Sequence, residues 1–181
     1  MDETTMWPFS ALRTRPKVAG GTIEAIYGMI VAQAREPVFY ESHGVPDRVE
    51  GRFDMVVLHL WMVLRRLRNA DTALQQALFD HFCNDMDANL REMGVGDLTV
   101  PKRMKAFGEA FYGRSTAYDM AMEGGEKDLA DALLRNLLIG ADEASGKRLA
   151  SYVMEAVAAL DAVSVADLRS GAWRFPRLSL A

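Results

Sequence analysis

Apolar residues recur along most of this chain at a spacing of three and four, the signature of helices that bury one face. Ile23, Ile26, Tyr27, Ile30, Val31 and Ala34 form the first such stripe, with Thr22 placed to cap it and Pro37 to end it. A second helix is predicted from near Gly51 or Arg52, with Phe53, Val56, Val57, Leu60, Trp61, Leu64 and Leu67 as its core stripe. Met55, Leu58 and Met62 continue the apolar surface round its other side. A helix apolar nearly all round is either central in its own fold or covered by a partner.

Asp71 is placed to cap a third helix, in which Leu74, Leu78, Phe82, Met86 and Leu90 repeat every four residues up to a stop at Gly94 and Gly96. Pro101 opens a fourth, with Val100, Met104, Phe107 and Phe111 on one side. Gly124-Gly125 precedes a fifth (Leu129, Leu133, Leu134, Leu137, Leu138), and a sixth carries Leu149, Val153, Ala156 and Leu160. Ser164-Val165-Ala166-Asp167 resembles a capping box opening a last short helix. The aromatic segment from Pro37 to Asp47 reads as a connector lying over the core. With no strand alternation and no repeat, the expectation is an all-α, single compact domain of about six to seven helices. Residues 1–21 read as a flexible N-terminal arm, 22–170 as the helical domain and 171–181 as a C-terminal tail whose Trp173 and Phe175 can fold back.

Composition narrows the function. At 181 residues and half apolar, the chain is long enough for one proper core. A net charge of -4 disfavours sequence-independent nucleic-acid binding, which needs a basic face. The cluster Arg65, Arg66, Arg68 can meet an acidic partner or lipid headgroups, or can simply be a solvated helix end. The most apolar window, Met55 to Leu64, reaches only about 15 Å as a helix, half of a hydrocarbon core. The acidic start, Met1-Asp2-Glu3, is unlike a secretory or transit signal, so a cytoplasmic protein is expected.

Catalytic grammar is missing. Cys83 is the one cysteine, and Asp80, Asp85 and Asp87 around it oppose a reactive thiolate. His43, His59 and His81 have no metal-ligand spacing; His81 and Asp85 are one helical turn apart, which is two ligands and not a site. Gly94-Val95-Gly96 follows a helix and lacks the lysine and serine of a phosphate loop. No catalytic residue, cofactor or metal is expected. Methionine is abundant (11 residues) and clustered at Met55 and Met62, Met86 and Met93, Met120 and Met122, which suits either an adaptable apolar binding surface or gap-filling in a core.

Several segments in order resemble the ubiquinol–cytochrome c chaperone family. They are Val31-Ala32-Gln33-Ala34-Arg35 with Pro37, Phe39 and Tyr40, then Gly44-Val45-Pro46-Asp47, Gly51-Arg52-Phe53-Asp54, the run from Asp85 to Leu98, and Ala110-Phe111-Tyr112-Gly113-Arg114 with Ala117-Tyr118. The resemblance implies a non-enzymatic assembly factor for cytochrome b of the respiratory ubiquinol–cytochrome c reductase, in a bacterial cytoplasmic member of the family. It also implies as partners newly synthesised cytochrome b, a small helical co-chaperone and the ribosome, with peripheral contact at the inner face of the plasma membrane and no specific nucleic acid. An apolar client patch is expected at Met55, Leu58 and Met62, with Arg52, Asp54, Asp87 and Arg91 at its rim; helix capping and internal salt bridges are the competing account of those charges. A constitutive adaptor or oligomeric subunit using the same apolar face is the alternative, and a small-molecule enzyme on a helical scaffold a more distant one.

Overall fold

The helix with apolar residues all round is the one that every other part of the domain is built upon. The computed structural model describes residues 20–178, which form eight helices. They are α1 (Gly20–Ala34), α2 (Pro37–Ser42), α3 (Val49–Leu67), α4 (Thr72–Glu92), α5 (Val100–Gly124), α6 (Glu126–Asn136), α7 (Glu143–Ala162) and α8 (Val165–Ser170). No strand occurs among the described residues, so the fold is all-α. From Val57 to Leu64 every residue of α3 is buried, because α1, α4 and α7 pack around it. α5 lies against α4 and α6, α6 against α7, and α8 closes onto α1.

The predicted stripes of α1, α4, α6 and α7 are the faces that meet at this centre. Ile23, Ile26, Ile30 and Ala34 of α1, Leu74, Leu78 and Phe82 of α4, and Leu149, Val153, Ala156 and Leu160 of α7 are all buried. Polar side chains finish the helix ends. Asp71 accepts from the Leu74 amide at 3.0 Å and is itself held by Arg169 of α8 at 2.6 Å. Ser164 caps α8 as expected, its hydroxyl accepting from the Asp167 amide and donating to the Asp167 carboxylate. Arg66 donates to the Leu160 and Val163 carbonyls at the end of α7, while Arg68 and the Trp61 indole donate to Asp119 of α5. The arginine cluster of α3 is thus engaged with α5 and α7.

The structure differs from expectation at two places near the start of the domain. The connector after Pro37 contains the short helix α2, whose Phe39 is fully buried. Thr22 lies inside α1, which already runs from Gly20, so it is not the N-cap; the rest of the expected arm lies outside the described residues. At the other end Trp173 and Phe175 are buried, as a tail folding back through its aromatics requires.

Gly51 fixes how the loop after α2 meets α3. A Cβ there would fall 2.1 Å from the Pro46 carbonyl oxygen, backbone that cannot swing aside. Gly113 on α5 has open space instead. Gly51→Ala is therefore expected to destabilise the fold by about 1–3 kcal/mol through overpacking, and Gly113→Ala to stabilise it by about 0.5–1 kcal/mol through helix propensity. Urea unfolding of the two variants beside the parent chain measures both signs.

Candidate functional site

The three apolar candidates are in the wrong place to be a surface. Met55 and Leu58 are 0% exposed and Met62 is 1% exposed, so the expected client patch is part of the core. Phe53 and Val56, expected inside, are half-buried and pack against the core at its edge. Both sides of α3 are apolar, and periodicity gives no rule for which side faces the body. α1, α4 and α7 cover it from within the same chain, which also removes that face as a contact between copies.

The four charged candidates do not converge. Arg52 donates to Asp47 at 2.8 Å and lies 5.8 Å from the centre of the Tyr40 ring, on the wall of a hollow of about 260 Å³ with Arg35, Pro37 and Glu41. Asp54, two residues on and so nearly on the opposite side of α3, pairs with Arg114 of α5. Burial raises the Asp54 pKa above the usual carboxylate range, and the Arg114 guanidinium only partly offsets it. Asp87 and Arg91 do come together, at 2.6 Å, and Arg91 also binds Asp97 across the turn between α4 and α5. Those contacts account for all four charges as internal pairs, and Asp87 and Arg91 still stand where apolar surface is open.

That open surface is the outer half of α4 and α5. Core aromatics close the inner half, where Phe82 meets Phe107 at 5.3 Å and Phe79 meets Phe111 at 5.2 Å. Phe53 of α3 lies 5.3 Å from Phe107 as the last cover. Beyond it, among the described residues from 83 to 107, Val100 is the one buried side chain. Met86, Leu90, Met104 and Phe107 are half-buried along the seam, Met86 and Phe107 packed against the core, and Met93 and Leu98 stand out at the turn, 74% and 98% exposed. Phe53, Leu90, Met104 and Phe107 were missed as surface because each continues a regular core stripe. The signal available was that the stripes of the two helices run on into the Gly94–Gly96 turn.

The titratable side chains of α4 named as candidate ligands or nucleophile are engaged within the fold. Burial first, and Asp80 second, push the Cys83 thiol up to about 11. Asp85 accepts from the Tyr27 hydroxyl at 2.7 Å, and His81 lies edge-on to the Tyr27 ring at 4.9 Å, so both members of that helical pair are spent on α1. No group of three or more His, Cys, Asp and Glu able to hold a metal ion occurs among the described residues. None of their helices is long and apolar enough to cross a membrane.

His59 is a fully buried titratable group with a large shift. Its Nδ1–H donates to the Met55 carbonyl at 2.7 Å, and its Nε2 accepts from the Tyr152 hydroxyl at 2.8 Å, an arrangement that needs the neutral ring. Phe39 and Phe175 pack edge-on against it. Outside this cluster the C-terminal segment and α2 border a hollow of about 450 Å³ lined by Gln33, Glu36, Glu41 and Phe175 among others.

Three comparisons place the chain among known proteins. The family model described as "Ubiquinol-cytochrome C chaperone" matches residues 41–175. The ubiquinol-cytochrome-c reductase complex assembly factor 1 of Xenopus laevis is 29% identical over 135 residues, 72% of this chain and 68% of that protein. The crystal structure of the Cbp3 homolog from Brucella abortus is similar with a TM-score of 0.79 at 35% identity, covering 87% of this chain and 90% of that one.

Burial lowers the His59 pKa from 6.5 to about 4. Below about pH 6.5 the unfolded chain therefore takes up a proton that the folded chain refuses until about pH 4. Stability should fall across that window by about 3 kcal/mol from this residue alone. His59→Gln is expected to be less stable at neutral pH and to lose less on acidification; urea unfolding from neutrality down to about pH 4 reads the difference in slope.

Proposed function

As the chain belongs to the ubiquinol–cytochrome C chaperone family, we propose that it is a non-enzymatic assembly factor that holds newly synthesised cytochrome b on the outer seam of α4 and α5. The observation that carries this reading is that the family match, residues 41–175, takes in both the covered body and the uncovered seam. A polytopic membrane protein exposes apolar helix faces before it is assembled. A seam of Met86, Leu90, Met104 and Phe107 offers such a face a complementary groove. Methionine side chains are flexible and polarizable, so they adapt to clients whose apolar surface varies.

The charged pair Asp87–Arg91 lies at the rim, where it orients a client without being buried by it. Arg52 with its hollow beside α2 lies apart from the seam and is the place for a second partner, such as a small helical co-chaperone; ribosome contact belongs to the same reading. The expected workplace is the cytoplasm. The adaptor alternative loses its surface, because the Met55–Met62 face is enclosed by the chain's own helices.

Deleting the gene should lower the spectroscopic signal of cytochrome b, and the parent chain should restore it. A Leu90→Asp, Met104→Asp double variant should not restore it, since each apolar side chain a client buries contributes about 1.5–3 kcal/mol and a carboxylate opposes burial. Neither residue belongs to the core cluster, so the variant should still fold, with an unfolding midpoint somewhat below the parent's because both side chains are half-buried. Normal cytochrome b in the deletion strain would sink the assembly role, and full rescue by the folded double variant would sink the seam.

A further inference from the structure

We infer that the turn between α4 and α5 is a membrane-docking tip that inserts Met93 and Leu98 among anionic phospholipids, with Lys102 and Arg103 on the headgroups. The inference deepens the assembly-factor reading and rests on it for its setting. Leu98 and Met93 are the two most exposed of the large apolar side chains between α4 and α5, at 98% and 74%, and they flank a turn whose Gly94 and Gly96 have open space around them. They stand at the far end of α4 and α5, where the seam runs out into the turn, whereas two hollows lined by described residues lie beside α2. Two apolar side chains that stand out beyond the seam are points round which a fluid lipid surface can mould.

Charge at the tip fits the same occupant. Lys102 and Arg103 are exposed in the first turn of α5, which contains no acidic residue. Cations there oppose the positive end of the helix dipole, so local helix stability does not explain them. Lys105 follows, 3.9 Å from Glu109. On the α4 side Arg91 holds both Asp87 and Asp97, which mutes two of the nearby acids, with Glu92 exposed beside them. Long basic side chains let the apolar pair sink while their charged ends stay at headgroup level.

Flotation of the purified full chain with vesicles tests this. The parent chain is expected to float with equimolar phosphatidylglycerol and phosphatidylcholine and to float weakly with phosphatidylcholine alone. Met93→Asp with Leu98→Asp should lower binding at least about ten-fold. Lys102→Glu with Arg103→Glu should lower it at least about ten-fold as well, since each cation near an anionic surface contributes about five-fold. Ile139→Asp, which changes an exposed apolar residue (72%) on another loop, should float as the parent does. All of these positions are exposed, and unchanged unfolding midpoints confirm the fold. A parent chain that does not float, including one whose tip meets protein or nucleic acid instead, overturns the inference, as does an Ile139→Asp loss equal to that of the tip pair. Binding without any cytochrome b defect on gene deletion would leave the tip standing and remove the assembly role; the reverse pattern would do the opposite.

Discussion

Burying α3 on every side is the constraint from which the rest of this molecule follows. A stretch from Val57 to Leu64 without one exposed residue must be enclosed by other helices, and it includes an imidazole. Enclosure is tolerable only because both ring nitrogens of His59 are satisfied, one by the Met55 carbonyl a turn back and one by Tyr152 of α7. That second bond ties the central helix to the helix packed across it. Phe39 of α2 and Phe175 of the C-terminal segment close the same cluster, so elements far apart in the chain share one polar-in-apolar knot. Once α3 is spent as a core, its methionines are unavailable for recognition, and whatever this chain binds must be met elsewhere.

The helices were largely legible in the sequence because each side helix has one apolar stripe and a matching polar back. α3 was not, and the reason is physical. Period 3.6 locates a face only when the opposite face is polar; with both apolar, Met55, Leu58 and Met62 could not be told from Phe53 and Val56. α2 was missed because six residues after a proline, rich in aromatics, carry too little periodicity to separate from a turn. The Ser164 cap was readable, since its partner is three residues away. Asp54 was readable as a charge and not as a pair, because Arg114 lies sixty positions on and nothing local announces it.

The candidate seam was hidden by its own regularity. Leu90 and Met104 continue the core stripes of α4 and α5 beyond the point where a third helix covers them. Where the cover ends, at Phe53, the same pattern that reads as core becomes surface. Apolar side chains left half-exposed are a cost in solubility that a helix pair without a function would shed by substitution to polar residues. The feature therefore lies in the mismatch between pattern and cover, which only the arrangement of helices reveals.

How the outer pair of helices stays in position without a third helix is answered by its polar ties. Tyr27 of α1 donates to Asp85 of α4, and Asp54 of α3 pairs with Arg114 of α5, one tie for each helix at the base of the exposed segment. Near the far end Arg91 bridges Asp87 and Asp97, joining the last turns of α4 to the connection that leads into α5. The exposed Arg91 pairs contribute little to global stability. Their value here is geometric. They hold two helices side by side at a fixed seam width while leaving the apolar residues between them open. An apolar tie in the same place would fill the seam that it holds.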